Sequence, residues 1–313
     1  PSSGTFSTYA AQAFGPWAGY TIGWLYWFMM IMIMAVEITG ASAIVAAWFG
    51  ISPWIPALVA IVAFTVVNFS AVKNFGEFEF WFALIKILAI LGLIGIGGYM
   101  VFNQFAAPDG TTASFQHVWS HGGMFPQGGN GFLAGFQIAL FAFVGVELLG
   151  TMAAETKDPE KNLPKAVNAI PTRIILFYVL SLFVVMSVTP WNQIPADRSP
   201  FVSLFLHAGI PTSAIIMNLV VLSSVMSSMN SGVFSTSRML FGLARGRQAP
   251  QALATLSKRA VPAKGLLFSC LFIMAGAALQ YFVPNTVEAF TLASSLCVIL
   301  FISIWGIIMV CYL

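Results

Sequence analysis

Eight apolar stretches, most of them at least about 20 residues long and so able to cross a bilayer core, recur along the sequence with short polar segments between them. They run from Gly15 to Phe49, Pro53 to Val72, Phe80 to Phe102, Gly131 to Ala154, Ala166 to Val188, Pro211 to Leu243, Leu266 to Phe282, and Ala289 to Leu313. A lipid-facing backbone must satisfy its own hydrogen bonds, and the alternating ten-residue pattern of a barrel is missing, so each stretch is predicted to be a transmembrane helix. The first and sixth exceed one crossing and are expected to tilt or to continue into the headgroup region. Only 7% of the 313 residues are charged, against roughly 25% in ordinary soluble domains. The expected fold class is therefore all-α integral membrane, in one transmembrane domain over 1–313.

The positions of the cations orient the helices, because short cytoplasmic loops carry the excess of Lys and Arg. Of thirteen such residues, eleven fall on one side: Lys73; Lys157, Lys161, Lys165 and Arg173; and Arg238, Arg245, Arg247, Lys258, Arg259 and Lys264. The other side has Arg198 alone, and its long loop from Asn103 to Asn130 has none. Both ends of this chain are thus expected on the cytoplasmic side, and the net charge of +3 calls for no nucleic-acid partner. The sequence opens at Pro1 without the basic and short apolar regions of a signal peptide, which reads as an excerpt of a longer chain. Cys270, Cys297 and Cys311 lie inside spans and read as small core residues.

Three ionisable residues remain in mid-helix: Glu37, Lys86 and Glu147. Each costs on the order of 2.5–3.5 kcal/mol near the bilayer centre even on a lenient scale, so such groups face a bundle interior or a watery cavity. Glu147 sits between Gly145 and Gly150. A glycine costs about 1 kcal/mol in a helix interior, so this span is expected to break near Gly145 and expose backbone groups that line a cavity; a glycine packing contact is the competing reading. For Lys86, desolvation makes protonation conditional, which suits a proton carrier, but its long stem also lets the ammonium snorkel to the interface. Glu37, followed by Thr39 and Ser42, reads either as a hydrogen-bonded structural carboxylate or as a pathway residue.

The sixth span carries Ser224, Ser228, Ser231 and Ser235 at helical spacing, with Ser223, Ser227 and Asn230 beside them, a polar face that must avoid lipid. It reads as pathway lining or as close helix packing. Gly15, Gly19 and Gly23 form a small-residue packing face. His117 and His121 have an H-x-x-x-H spacing, but the Gly-rich loop around them shows no helix and no further ligand, so no metal is expected. The absence of G-x-S-x-G, G-K-[ST] and H-E-x-x-H patterns argues against a hydrolase or an ATP-driven pump, and no cofactor is expected.

The segments "AFVGVELLGTMAAETKDPEKNLPKAVNAIPTRIILFYV", "MNSGVFSTSRMLFGLA" and "SKRAVPAKG" resemble bacterial amino acid permeases of the amino acid–polyamine–organocation superfamily, within it most the transporters of D-serine, D-alanine and glycine. The resemblance covers essentially the whole chain. It implies two inverted five-helix repeats with this chain holding family helices three to ten: 1–128 the last three helices of the first repeat with the outer loop, and 129–313 the complete second repeat. The family's broken helix one has no counterpart here, which implies that this stretch holds at best half of the principal substrate site.

By the same resemblance, the break falls on Phe143, Val144 and Gly145, whose backbone would receive a substrate amino group, and Phe141 would close over it. Glu147 and Lys86 match positions implicated in proton linkage, and Glu37 one where relatives also carry an acid. Met30 and Met34 would face the side-chain pocket, flanked by Ser227 and Asn230. The implied function is proton-coupled import of small neutral amino acids (alanine, serine, glycine, including D-forms) across a bacterial cytoplasmic membrane by alternating access. The partners are the amino acid, protons and the lipid bilayer. Aromatic or branched-chain amino acids or GABA are alternative substrates, and a passive channel or facilitator is an alternative mechanism.

Overall fold

The computed structural model describes residues 5–69, 72–107, 110–149, 156, 158–194, 199–210, 212–258, 260–279 and 286–313. Gly150, Ala154, Lys157, Arg198, Pro211, Arg259 and Phe282, which the sequence reading used, lie outside the described residues. Among the described residues the regular structure is helical, apart from a single bridge pair, Ala106 with Thr112. The helices are α1 (Thr5–Phe14), α2 (Pro16–Phe49), α3 (Trp54–Asn68), α4 (Val72–Phe102), α5 (His117–Ser120), α6 (Gly128–Phe141), α7 (Pro159–Val188), α8 (Pro200–His207), α9 (Ser213–Arg245), α10 (Ala263–Leu279) and α11 (Thr286–Tyr312). Five contain an apolar segment long enough to cross a membrane: α2, α4, α7, α9 and α11. Two further apolar helices, α3 and α10, are shorter, at 15 and 17 residues.

Several helix bounds depart from the sequence reading for identifiable reasons. Thr5–Phe14 forms its own helix, α1, ended where Gly15 takes φ +92° ahead of Pro16, whose fixed φ and missing N–H suit the first turn of α2. Helix α7 begins at Pro159, seven residues before Ala166, because the charged "PEKNLPK" segment is helical despite Pro164. It also passes Pro171 and loosens into a five-residue π segment at Ile175–Val179 before regaining α geometry. A proline removes an amide donor one turn ahead of this segment, and π segments of this kind absorb such local mismatches.

The chain forms two compact units. The first comprises Pro1–Phe80, Gln137–Leu163 and Val225–Leu313, with α2 as its central post. Apolar around its whole circumference, α2 packs on α1, α3, α10 and α11. Glycine notches permit close approach: Leu243 of α9 sits against Gly23, Met34 against Gly232 of α9, and Ala35 against Gly276 of α10. Gly19 likewise receives α1 at the Ser7 carbonyl and Ala11. Of the three glycines read as a packing face, Gly19 and Gly23 pack, whereas Gly15 makes the turn into α2.

A methyl group added at Gly276 would lie 2.8 Å from the Ala35 Cβ, an atom that cannot move without its helix. Gly276→Ala is therefore expected to destabilise the protein by about 1–3 kcal/mol. The check is a lower Tm of the detergent-purified protein.

The second unit comprises Trp81–Phe136 and Pro164–Ser224. Its core joins Leu93, Met100 and Val101 of α4 to Val184, Val185 and Val188 of α7 and Leu204 of α8. Val184 fills the notch at Gly97. The loop after α4 is fastened to the end of α7, where the Ser114 N–H donates to the Ser187 carbonyl at 2.9 Å.

Candidate functional site

The fourth apolar stretch breaks near its middle. Helix α6 ends at Phe141, residues 142–147 form successive turns, and helical geometry resumes at Leu148. Amide bonds tighten from four residues back to three: Ala142 donates to Ala139 at 3.1 Å, Phe143 to Leu140 at 3.0 Å, Val144 to Phe141 at 3.1 Å, Val146 to Phe143 at 3.3 Å and Leu148 to Gly145 at 3.1 Å. Gly145 takes φ +104°, a region that side chains avoid. Its N–H leaves the helical ladder and donates to Glu147 Oε2 at 2.9 Å.

The carboxylate therefore does two things at the break. One oxygen replaces the backbone acceptor that Gly145 lost. The other, Oε1, is buried without a hydrogen-bond partner among the described residues, in a side chain only 6% exposed. Tyr26 of α2, 0% exposed, lies within electrostatic reach of that carboxylate. Its hydroxyl is also buried without a hydrogen-bond partner among the described residues. A buried polar group left unsatisfied costs about 1–3 kcal/mol, so an acceptor and a donor kept this way beside a helix break mark a place arranged to receive something. The sequence reading did not single out Tyr26, since one tyrosine in an apolar helix carries no pattern of its own.

Tyr26, Met30 and Met34 recur every four residues and so share one face of α2. Met30 and Met34 are both buried in the core of the first unit, Met34 against Gly232 of α9. Phe141 and Val144 are half-buried and pack against the same core, and Phe143 is half-buried. On α9 the buried polar residues are Ser223, Ser227, Asn230, Ser231 and Ser235, with Thr236 and Ser237. Ser224 and Ser228, on the same wide face, are half-buried. Thr236 and Ser237 donate to carbonyls of their own helix, at Gly232 and Phe234, each at 2.8 Å.

Asn230 makes a bond between helices. Its Oδ1 accepts from Asn68 Nδ2 at 3.1 Å, and the same amide donates to the Phe64 carbonyl at 3.0 Å. Nearby, the Thr65 hydroxyl stands 2.7 Å from the Ile61 carbonyl and 3.2 Å from Cys270 Sγ of α10. Asn68 is the last residue of α3, inside the second apolar stretch, and nothing in the sequence pattern singled it out. Side-chain bonds between membrane helices average about 0.6 kcal/mol, so a double-mutant cycle of Asn68→Ala and Asn230→Ala is expected to give a coupling of that order in thermal unfolding.

Glu37 lies on α2, half-buried, within electrostatic reach of Cys297 on α11. Thr39 and Ser42 donate to the carbonyls of Ala35 and Thr39 rather than to this carboxylate, at 2.8 and 2.9 Å. Lys86 is half-buried on α4, in the second unit. The three intramembrane ionisable residues thus divide, with Glu37 and Glu147 in the first unit and Lys86 in the second. Among the described residues no three His, Cys, Asp or Glu side chains group as metal ligands.

Chemically, a helix break with a buried carboxylate oxygen to spare attracts an ammonium group or a proton, and a neighbouring hydroxyl supplies a donor. Comparison with known proteins gives the family. The sequence pattern of the amino acid permease family matches residues 1–313. The chain is 54% identical over 310 residues to the D-serine/D-alanine/glycine transporter of Escherichia coli O6:H1, covering 99% of this chain and 66% of that protein. It is 44% identical over 310 residues to the amino-acid permease AapA of Bacillus subtilis, with the same coverage, and 40% identical over 296 residues to the gamma-aminobutyric acid permease of that organism, covering 94% of this chain and 63% of that protein. The chain thus spans just under two thirds of the length of these relatives. With its whole length matched, this chain belongs to the amino acid permease family.

Proposed function

We propose that the protein containing this chain is a secondary active transporter that imports small neutral amino acids, namely alanine, serine and glycine including D-forms, together with protons. The observation that carries this reading is the helix break at Gly145 with Glu147 buried beside it, one oxygen bracing the backbone and one without a hydrogen-bond partner among the described residues. The printed names of the relatives support the substrate class. In this reading the eight apolar stretches are family helices three to ten of a five-plus-five inverted-repeat fold. Residues 1–128 close the first repeat and residues 129–313 form the second. The protein sits in the cytoplasmic membrane with both ends of this chain inside.

The residues divide the work. The backbone around Phe143, Val144 and Gly145 receives the substrate ammonium through its carbonyl oxygens, since the Gly145 N–H is already engaged. Phe141 closes over the substrate, Met30 and Met34 bound its side chain, and Ser227 and Asn230 flank the pocket from α9. Glu147 takes up a proton at Oε1, the oxygen not engaged by the Gly145 N–H, while Lys86 and Glu37 serve the proton path. One proton moving down the membrane potential supplies about 2.3 kcal/mol per 100 mV, enough for substantial accumulation.

Uptake of labelled glycine by cells expressing the full-length protein, with each unlabelled amino acid as competitor, tests the substrate class. D-alanine, D-serine and alanine are expected to compete strongly; competition confined to GABA or aromatic residues would overturn the assignment. The runner-up is another amino acid class, aromatic, branched-chain or GABA, and relatives named for GABA and for aromatic amino acids are each 40% identical. Counterflow of preloaded substrate separates a carrier from a passive channel.

A further inference from the structure

The loop between α4 and α6 holds two of the chain's three histidines. No helix is expected there from the Gly-rich sequence, yet a single helical turn, α5, opens at His117 and is capped by His121. Four residues apart on that turn, the two imidazoles stand edge to face with ring centroids 6.0 Å apart. His117 Nδ1 lies 3.1 Å from the Ser187 carbonyl oxygen. A carbonyl can only accept, so Nδ1 carries the proton and Nε2 holds the free lone pair. His121 Nδ1 is 3.0 Å from the Ser120 hydroxyl, which can accept in the same way and leave its Nε2 equally available. An imidazole whose second nitrogen is fixed by a backbone carbonyl or another oxygen is the arrangement that metal-binding histidines use.

We propose that His117 and His121 together bind one divalent first-row transition-metal ion through their Nε2 atoms. With metal–nitrogen distances of about 2.0–2.1 Å and a near-tetrahedral angle, two such rings have centroids about 5 Å apart, against 6.0 Å here. Among the described residues no third His, Cys, Asp or Glu joins them, which leaves the remaining positions to water. His207 is engaged elsewhere, near the Thr189 hydroxyl at 3.3 Å. Two imidazoles and water make an open, exchangeable site that prefers copper(II) over nickel(II), cobalt(II) or zinc(II) and ignores magnesium and calcium, which take oxygen ligands. The bound ion would stiffen a turn that is already fastened to the end of α7 through Ser187 and through Trp191, whose indole donates to the His121 carbonyl at 3.0 Å.

The test is a copper(II) titration of tag-free, full-length protein in detergent, followed by pulsed electron paramagnetic resonance. The expected result is echo modulation from two equatorial imidazoles. His117→Ala or His121→Ala should each reduce it to one and weaken binding by about tenfold or more, whereas His207→Ala should leave it intact. The proposal is overturned if the unsubstituted protein shows no two-imidazole modulation, a readout that needs no variant to fold. It is equally overturned if the doubly substituted His117→Ala, His121→Ala protein, eluting as the unsubstituted one does, keeps both the signal and the affinity.

Discussion

Replacing Gly145 by valine in the full-length protein is expected to lower the initial rate of amino acid uptake by about 10- to 100-fold. At φ +104° a β-branched side chain cannot be accommodated without strain of order 1–3 kcal/mol, and each 1.4 kcal/mol is a factor of ten. The space around Gly145 is not the obstacle, because an added Cβ would meet nothing closer than Leu148 Cδ1 at 3.9 Å. The constraint is the backbone conformation, and relieving it would turn the Gly145 N–H away from Glu147 and rebuild the break. Gly145→Ala should fall between valine and glycine. Gly135 provides the control in α6, ahead of the break: it is regular, exposed, and has nothing within 4 Å of an added Cβ, so Gly135→Ala should leave uptake near its original rate. Rates are to be divided by the amount of protein in the membrane, which separates transport from folding. A Gly145→Val protein that is inserted normally and transports normally would show that the break is not needed.

The second large effect is a split between two substitutions at Glu147. Glutamine keeps an amide oxygen that can accept from the Gly145 N–H but carries no ionisable proton; alanine removes both functions. Glu147→Gln is therefore expected to retain exchange of substrate across the membrane within a few-fold while losing accumulation driven by a proton gradient. Glu147→Ala should lose both, by about tenfold or more, since a buried amide left without its acceptor costs about 1–3 kcal/mol. Gradient-driven accumulation that survives Glu147→Gln unchanged would confine the carboxylate to bracing and move proton linkage to Lys86 or Glu37.

The parts of this arrangement that a reader could find in the sequence are those written in local chemistry. Gly145 inside an apolar run announced the break, since glycine is the weakest point of a helix and a carboxylate two residues on needs a reason. The apolar stretch from Gly15 to Phe49 matches α2 to within one residue, and the one ending at Phe102 matches the end of α4. What depended on distant partners stayed hidden. Tyr26 becomes notable only once Glu147 is folded near it, and Asn68 only once Asn230 meets it. The α5 turn lies in a segment of glycine and polar residues whose own propensity is weak; it packs against the second half of α7, and His117 is tied there to Ser187. The polar face of α9 was legible in the spacing of its serines, and the neighbouring elements decide the depth of each: Ser223, Ser227, Asn230, Ser231 and Ser235 are buried, Ser224 and Ser228 half-buried.

The roles given to Phe141, Met30, Met34, Ser227 and Asn230 rest on family resemblance together with their burial around one core or break, and they follow if the transport reading holds. That reading is tested most directly with the full-length protein reconstituted into liposomes, loaded with neutral buffer and diluted into acidic medium containing labelled D-alanine or glycine. Proton-coupled import predicts accumulation above the external concentration that collapses on adding a protonophore. Label that merely equilibrates, or accumulation that the protonophore does not affect, would contradict it.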